Sequence, residues 1–303
     1  MATDADVIIV GAGPAGLSAA LILGRACHQV LVFDTNRPRN YAARAIHGFL
    51  TRDGTGPFEL RRLGLEELQR YDTVRVEPGE VTGAVRNDDD GTFRVTIADG
   101  RSFTSRRLLL ATGVSDLLPD VPGVQEMYGQ SVFHCPYCDG WELRGQPIAV
   151  YGCSERGYGL SIELLGWSRD IVLCSDGACE LDGKQIASFE RLGIPIREEP
   201  IARLEGTNGR LERIIFKNGD ALPRRAMFFT TGQIQASPLA QQLGCQFNDK
   251  GTVRTGPYEM TQVPGLYVAG DASRHVQWAI VAAAEGAEAA YAISQDLIKS
   301  SVR

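Results

Sequence analysis

Asp6-Val7-Ile8-Ile9-Val10-Gly11-Ala12-Gly13-Pro14-Ala15-Gly16 is the stretch that decides the fold. Val7 to Val10 are consecutive branched apolar residues, the pattern of a strand buried on both faces. A glycine turn follows from Gly11 to Gly16, then an apolar helix from Pro14 to Gly24 and a second buried strand at Val30-Leu31-Val32-Phe33. This is a βαβ unit. Its three glycines permit a tight turn, close approach of a pyrophosphate and close helix packing. Asp34 ends the second strand 23 residues after Gly11, where a carboxylate can accept from a ribose hydroxyl. A glycine-rich turn without a ligand is the plainer alternative; strand, turn, helix and acid together favour a dinucleotide.

Working outward, the alternating runs Val81–Val85 and Phe93–Ile97 flank an Asn/Asp/Gly-rich turn and predict a hairpin insertion. Leu108-Leu109-Leu110-Ala111 returns as a buried strand ending in Thr112-Gly113, and a Pro-rich crossing follows at 119–123. A second βαβ pattern starts at Pro147, with a strand at Ile148–Tyr151, a turn at Gly152, a helix over 157–167 and a strand at Ile171–Leu173. After another meander over 200–224, Met227-Phe228-Phe229-Thr230-Thr231-Gly232 echoes the earlier Thr-Gly exit. The expected architecture is α/β: two Rossmann-like, three-layer (ββα) dinucleotide-binding domains, one inserted into the other. The first spans 1–113 and 235–303, the second 114–234.

Bulk properties agree and narrow the function. A chain of 303 residues exceeds what one core usually supports. The net charge of −6 without a basic face argues against nucleic acid, and no Lys/Arg cluster marks a membrane surface. No apolar run approaches membrane-span length. The first strand begins too early to leave room for a signal peptide, so a cytoplasmic location is expected. Seven cysteines, scattered and odd in number, do not form a structural disulfide framework. One pair has redox spacing, in Cys135-Pro136-Tyr137-Cys138-Asp139. No second Cys or His pair completes a zinc set. Two thiols so placed can close into a disulfide and reopen, and Asp139 can move the proton that thiolate chemistry requires. Asp139 as a simple helix-start acid is the alternative.

Gly265-Leu266-Tyr267-Val268-Ala269-Gly270-Asp271-Ala272 ends a further strand with an acid. With the first glycine motif, Ala111-Thr112-Gly113, the Cys pair and the second βαβ unit, the whole chain resembles the two-dinucleotide-binding flavoproteins, and within them the low-molecular-weight thioredoxin reductases. That resemblance implies FAD in the first domain. It places Gly11, Gly13, Pro14, Ala15, Gly16 and Asp34 on the nucleotide half, with Val81, Ala111, Thr112 and Gly113 beside it. Asp271 and Gly270 fall at the ribityl and phosphate region, and the helix start Gln277-Trp278-Ala279 at the isoalloxazine. Trp278 departs from the family's usual Arg-Gln-Ala, and it reads equally as core packing. Pro38-Arg39-Asn40 and His47-Gly48-Phe49-Leu50 lie where the family's loop runs under the flavin, which puts Asn40 and His47 there; His47 reads either as a flavin contact or as a cap of the loop. By the same resemblance Cys138 is the sulfur nearer the flavin, Cys135 exchanges with the partner, Asp139 is the acid/base and the protein is a homodimer.

The nicotinamide motif departs from the family pattern. The inserted domain has Gly152-Cys153-Ser154-Glu155-Arg156-Gly157, with Ser154 where the close-approach glycine belongs. Cys174-Ser175-Asp176 and Glu180 replace the family's basic His-Arg-Arg-x-x-x-Arg, and carboxylates repel a 2′-phosphate. NADPH is disfavoured. Asp176, 24 residues after Gly152, suits the ribose of NADH, while Ser154 tips the balance slightly toward outright loss of nucleotide binding. Cys153, Cys174 and Cys179 read as small buried hydrophobes. The expected activity is reduction of a thioredoxin-like or small-molecule disulfide, with NADH or a ferredoxin-type donor. The alternatives are a flavin- and oxygen-dependent dithiol oxidase and a non-enzymatic redox sensor.

Overall fold

The structure of the protein, a computed structural model, describes residues 3–301. The chain divides into two compact units. One comprises the residues up to Tyr41, Gly48–Ser115 and Ile234 onward; the other comprises Ala42–His47 and Asp116–Gln233.

The first unit is built on a seven-stranded sheet. Ala5–Val10 pairs in parallel with Val30–Asp34 on one side and Ser102–Leu110 on the other, with Val7 opposite Val30 and Val10 opposite Leu110. Val74–Pro78 extends one flank, and Leu266–Val268 joins Leu108–Leu110. The hairpin expected over 81–105 is a three-stranded antiparallel meander, because the returning strand begins at Ser102 and pairs with Phe93–Ile97 before it enters the parallel sheet. Alternation along the first strand assigns its two faces. Val7 and Ile9 pack with the helices Pro14–Arg25 and Ala279–Ser301; Ile8 and Val10 pack with Phe33, Phe93 and the meander.

The two helices on that face cross where their residues are smallest. A Cβ at Gly286 would lie 2.0 Å from the Ala15 carbonyl oxygen, so only glycine permits this approach.

The second unit has a five-stranded parallel sheet in the order Ile196–Arg197, Ile171–Cys174, Ile148–Tyr151, Ala226–Phe229, Val132–Phe133. A separate antiparallel sheet joins Ile201–Thr207, Arg210–Phe216 and Ala221–Pro223. The crossover helix runs over Ser154–Leu164, three residues earlier than the sequence suggested. Gly157 lies inside it, because a residue without a side chain is what lets the first turn sit against Gly152: a Cβ there would come within 2.9 Å of the Gly152 carbonyl carbon. Helix Gly183–Leu192 is capped by Asp182, which accepts from the Lys184 and Gln185 amides in a capping box. Among the described residues no helix is long and apolar enough to cross a membrane.

Candidate active site and dinucleotide cradles

Pro136–Asp139 form one helical turn, and Cys135 caps it in an extended conformation. The turn brings the two sulfurs together, and Cys135 and Cys138 are joined in a disulfide. Trp167 braces the turn. Its indole lies edge-on to the Tyr137 ring at 5.2 Å, and a Cβ at Gly140 would sit 3.0 Å from it and 2.5 Å from the Pro136 carbonyl. Tyr137 and Trp141 remain 60% and 63% exposed, so the pair is flanked by two outward aromatic faces.

Asp139 ends this four-residue turn and is at the same time an acid of its first turn, so the helix-start reading also describes its place. Burial first, and the negative charge of Glu142 second, push its carboxyl up to about 7. A carboxyl held there is half protonated at neutral pH, the condition for a proton donor to a leaving thiolate. His134 faces elsewhere: its Nδ1 lies 3.8 Å from Asp116, which also accepts from the Tyr128 hydroxyl at 2.8 Å.

Segment Ala42–His47, expected with the first domain, belongs to the second unit. Ala42 packs on that unit's core and fits so closely that a Cβ at Gly129 would lie 2.6 Å from its backbone. Arg44 donates to the Gln130 side chain at 2.8 Å. The segment ends with His47 Nε2 at 3.7 Å from Glu142 Oε1. Within its unit, therefore, His47 stands at the redox turn. A loop's destination has no periodic signal in sequence, and this one was not foreseen.

In the first unit the glycine turn forms as its spacing requires. Gly11 has φ +106, and a Cβ on it would meet the Ala111 carbonyl at 2.4 Å; one on Gly16 would meet the Gly11 carbonyl at 1.8 Å. Gly13 differs, because a Cβ there would meet nothing within 4 Å. Chain packing does not explain that glycine, whereas a ligand lying over the helix start does. Asp34 accepts from the Ala12 amide at 2.9 Å and the Asn36 amide at 2.8 Å, and pairs with Arg61 at 2.5 Å. Asp34, Asn36 and Arg61 line a pocket of about 410 Å³ with Val76, Gly79 and Glu80, and the buried Arg61 Nε has no partner among the described residues. An open glycine, an orphaned donor and a pocket of nucleotide size fit the adenosine half of FAD.

Gly270, at φ +81, seats against Ala15, and its amide donates to Glu285 at 2.8 Å. Arg39 bridges Asp271 at 2.9 Å and Gln277 at 2.7 Å, drawing the Pro-Arg-Asn loop onto the start of the last helix. Asn40 is the next residue of that loop and is half-buried. Thr112 and Gly113 leave the strand at Ala111, and Ala279 opens the last helix. Trp278 just before it is 39% exposed, so it is not core packing. Val81 is buried in the core, and it is Gly79 and Glu80 that face the pocket. Arg39, Arg61, Glu142 and Glu285 were not singled out from sequence. Only Arg39 carried a signal, through its place in Pro38-Arg39-Asn40.

Residues 5–286 match the family described as pyridine nucleotide-disulphide oxidoreductase. The chain belongs to this family. It is an oxidoreductase of the thioredoxin-reductase-like branch, a flavoprotein family whose members use FAD and a nicotinamide cofactor. A thioredoxin reductase of Leptosphaeria maculans, sirT, is 32% identical over 91% of this chain and 90% of its own. The thioredoxin reductase of Aquifex aeolicus is 26% identical over 96% and 93%. A crystal structure assigned to thioredoxin reductase TrxB of Bacillus anthracis superposes with a TM-score of 0.92 at 34% identity, covering 98% of this chain and 99% of that one.

The second cradle of this oxidoreductase is built differently from the first. Its outer glycines are kept: a Cβ at Gly152 would lie 2.4 Å from the Thr230 hydroxyl. Ser154 takes the middle position in a left-handed conformation, φ +56. Burial raises the nearby Cys179 thiol, and the Ser154 backbone partly offsets that rise. Asp176 accepts from the Ile201 amide at 2.6 Å and the Tyr151 hydroxyl at 3.1 Å, so each carboxylate oxygen already holds a donor. The reading of three small buried cysteines holds for Cys174, whose thiol burial pushes up to about 12. It fails for Cys153, which is exposed, and Cys179 is half-buried.

Proposed function

We propose that this oxidoreductase exchanges electron pairs between FAD in the first unit and a thioredoxin-like or small-molecule disulfide, through Cys135 and Cys138. The carrying observation is the closed Cys135–Cys138 disulfide beside a carboxyl poised near neutrality. Bound FAD supplies two-electron chemistry, and the Gly11–Gly16 turn, Asp34, Arg61 and Asp271 are the residues that would hold it. When the pair is reduced, the Cys135 thiolate attacks one sulfur of the partner disulfide, whose bond breaks as a mixed disulfide forms. Cys138 then attacks the Cys135 sulfur, the intrachain disulfide closes and the partner leaves as a dithiol. Asp139 gives a proton to the first leaving sulfur, regains one from the Cys138 thiol as that sulfur attacks and passes it to the second leaving sulfur; solvent then reprotonates Asp139, replacing the proton that Cys135 released on ionising, so protons and electrons balance. Exposed Tyr137 and the Arg144-stacked Trp141 offer the partner an aromatic platform with a cationic edge.

The same reading disfavours NADPH as donor, because Ser154, the engaged Asp176 and Glu180 give its 2′-phosphate no support. NADH is the compatible nicotinamide, and a ferredoxin-type protein is the alternative donor. Ser154, with its side chain at the middle position of the second cradle, also favours a second reading, a dithiol oxidase in which electrons run from a small dithiol to flavin and oxygen. Anaerobic titration with NADPH, NADH and a dithiol, following the flavin absorbance, tests both. Bleaching by NADH supports the reductase; bleaching by the dithiol but by neither nucleotide, together with repeated turnover of the dithiol in air, supports the oxidase; and rapid bleaching by NADPH overturns the assignment of the second cradle.

A further inference from the structure

His47 lies far in sequence from the redox turn, yet the second unit holds it there by construction. The six-residue strap is anchored at Ala42 in the core and at Arg44 on Gln130, and its end places the imidazole 3.7 Å from Glu142. Glu142 is about half exposed, and a free carboxylate so placed would sample solvent. It is also the charged group that Asp139 feels. Of the neighbouring charged and titratable groups, Arg144 stacks over the Trp141 ring at 3.4 Å and His134 faces Asp116.

We infer that His47 is a positioning residue, which holds Glu142 close to Asp139 and thereby sets the pH range in which Asp139 carries its proton. His47 acts through Glu142, the carboxylate its imidazole faces. The inference rests on the proposed role of Asp139 in disulfide exchange and extends it. A negative charge kept beside Asp139 favours the neutral, proton-donating carboxyl; releasing it lets the carboxyl ionise at lower pH.

The test is the pH dependence of pair closure. Pre-reduced protein is mixed anaerobically with hydroxyethyl disulfide, quenched by alkylation and weighed, which reads the Cys pair without reference to turnover. Each rate is divided by that of the matching protein carrying Asp139→Asn, so that thiolate ionisation cancels. Glu142→Gln is expected to move the midpoint of the Asp139-dependent limb down by about one pH unit, a tenfold lower rate on its alkaline side. His47→Ala is expected to shift it in the same direction, His47→Gln, which keeps a polar N–H group facing Glu142, to restore it, and the double variant to match Glu142→Gln alone. A limb unmoved by His47→Ala, or moved upward, overturns the inference while leaving the reading of Asp139 intact. A wild-type protein with no Asp139-dependent limb overturns both.

Discussion

Asp139→Asn is the perturbation that separates proton transfer from the rest of the proposed exchange. With its carboxyl at about 7, half of the molecules hold the proton at pH 7. A carboxyl at the ordinary value of 3.8 would hold it in only about one molecule in 1,600, so burial and Glu142 raise the donor population roughly 800-fold. Asn keeps the shape and loses the proton. General acid catalysis contributes about 10²–10⁴ in rate. The rate of pair closure by an alkyl disulfide should therefore fall by about that factor at pH 6, and the gap between wild type and variant should narrow about tenfold per pH unit above 7. Rapid mixing with an alkylation quench measures it. A variant within threefold of wild type, or a gap independent of pH, refutes the reasoning. Stability provides a second readout. The folded value lies above the unfolded one, so the contribution to stability is fully present below about pH 4 and is lost as pH rises through 7. After discounting for partial solvent screening, Asp139→Asn should gain about 2 kcal/mol relative to wild type between pH 5 and pH 8.5 in denaturant melts.

Further outcomes follow from the two cradles and the redox turn. Gly16→Ala forces a Cβ to 1.8 Å from the Gly11 carbonyl and should cost about 3 kcal/mol in unfolding experiments. Gly13→Ala should change stability by under about 1 kcal/mol yet lower FAD retention, because its Cβ meets only open space; unchanged flavin content would remove the ligand from that surface. Arg61→Ala removes both the Asp34 partner and the unpartnered Nε, and should weaken FAD binding about tenfold or more by fluorescence titration. Adding a Cβ at Gly140 should loosen the redox turn against Trp167, seen as an enhanced rate of disulfide reduction by a dithiol at fixed pH; an unchanged rate would show that the brace is idle.

What could be read in the sequence was whatever has a period or a spacing. Val7 to Val10, the glycine turn and Asp34 specify a βαβ unit because strand burial and turn sterics are local, and the Cys135–Cys138 spacing specifies one helical turn for the same reason. Gly157 misled by three residues, since a glycine reads as a boundary when its actual task is helix-against-turn packing. The destinations of loops were not legible. The resemblance puts His47 on the loop under the flavin, as a flavin contact or a cap of that loop, and nothing in the sequence signals that its segment packs with the second unit through Ala42 and Arg44, contacts between residues over eighty positions apart. Asp176 was visible as an acid at ribose spacing, but its engagement by Tyr151 and Ile201 depends on where a strand of another sheet passes.

The central claim is that Cys135 and Cys138 carry electrons to and from bound FAD. Anaerobic addition of excess dithiothreitol to the purified yellow protein, followed by absorbance, tests it most directly in wild type and Cys138→Ser. The account predicts that the wild-type flavin band bleaches within the mixing experiment while the variant retains both its flavin and its colour. Equal bleaching of the two proteins would contradict it.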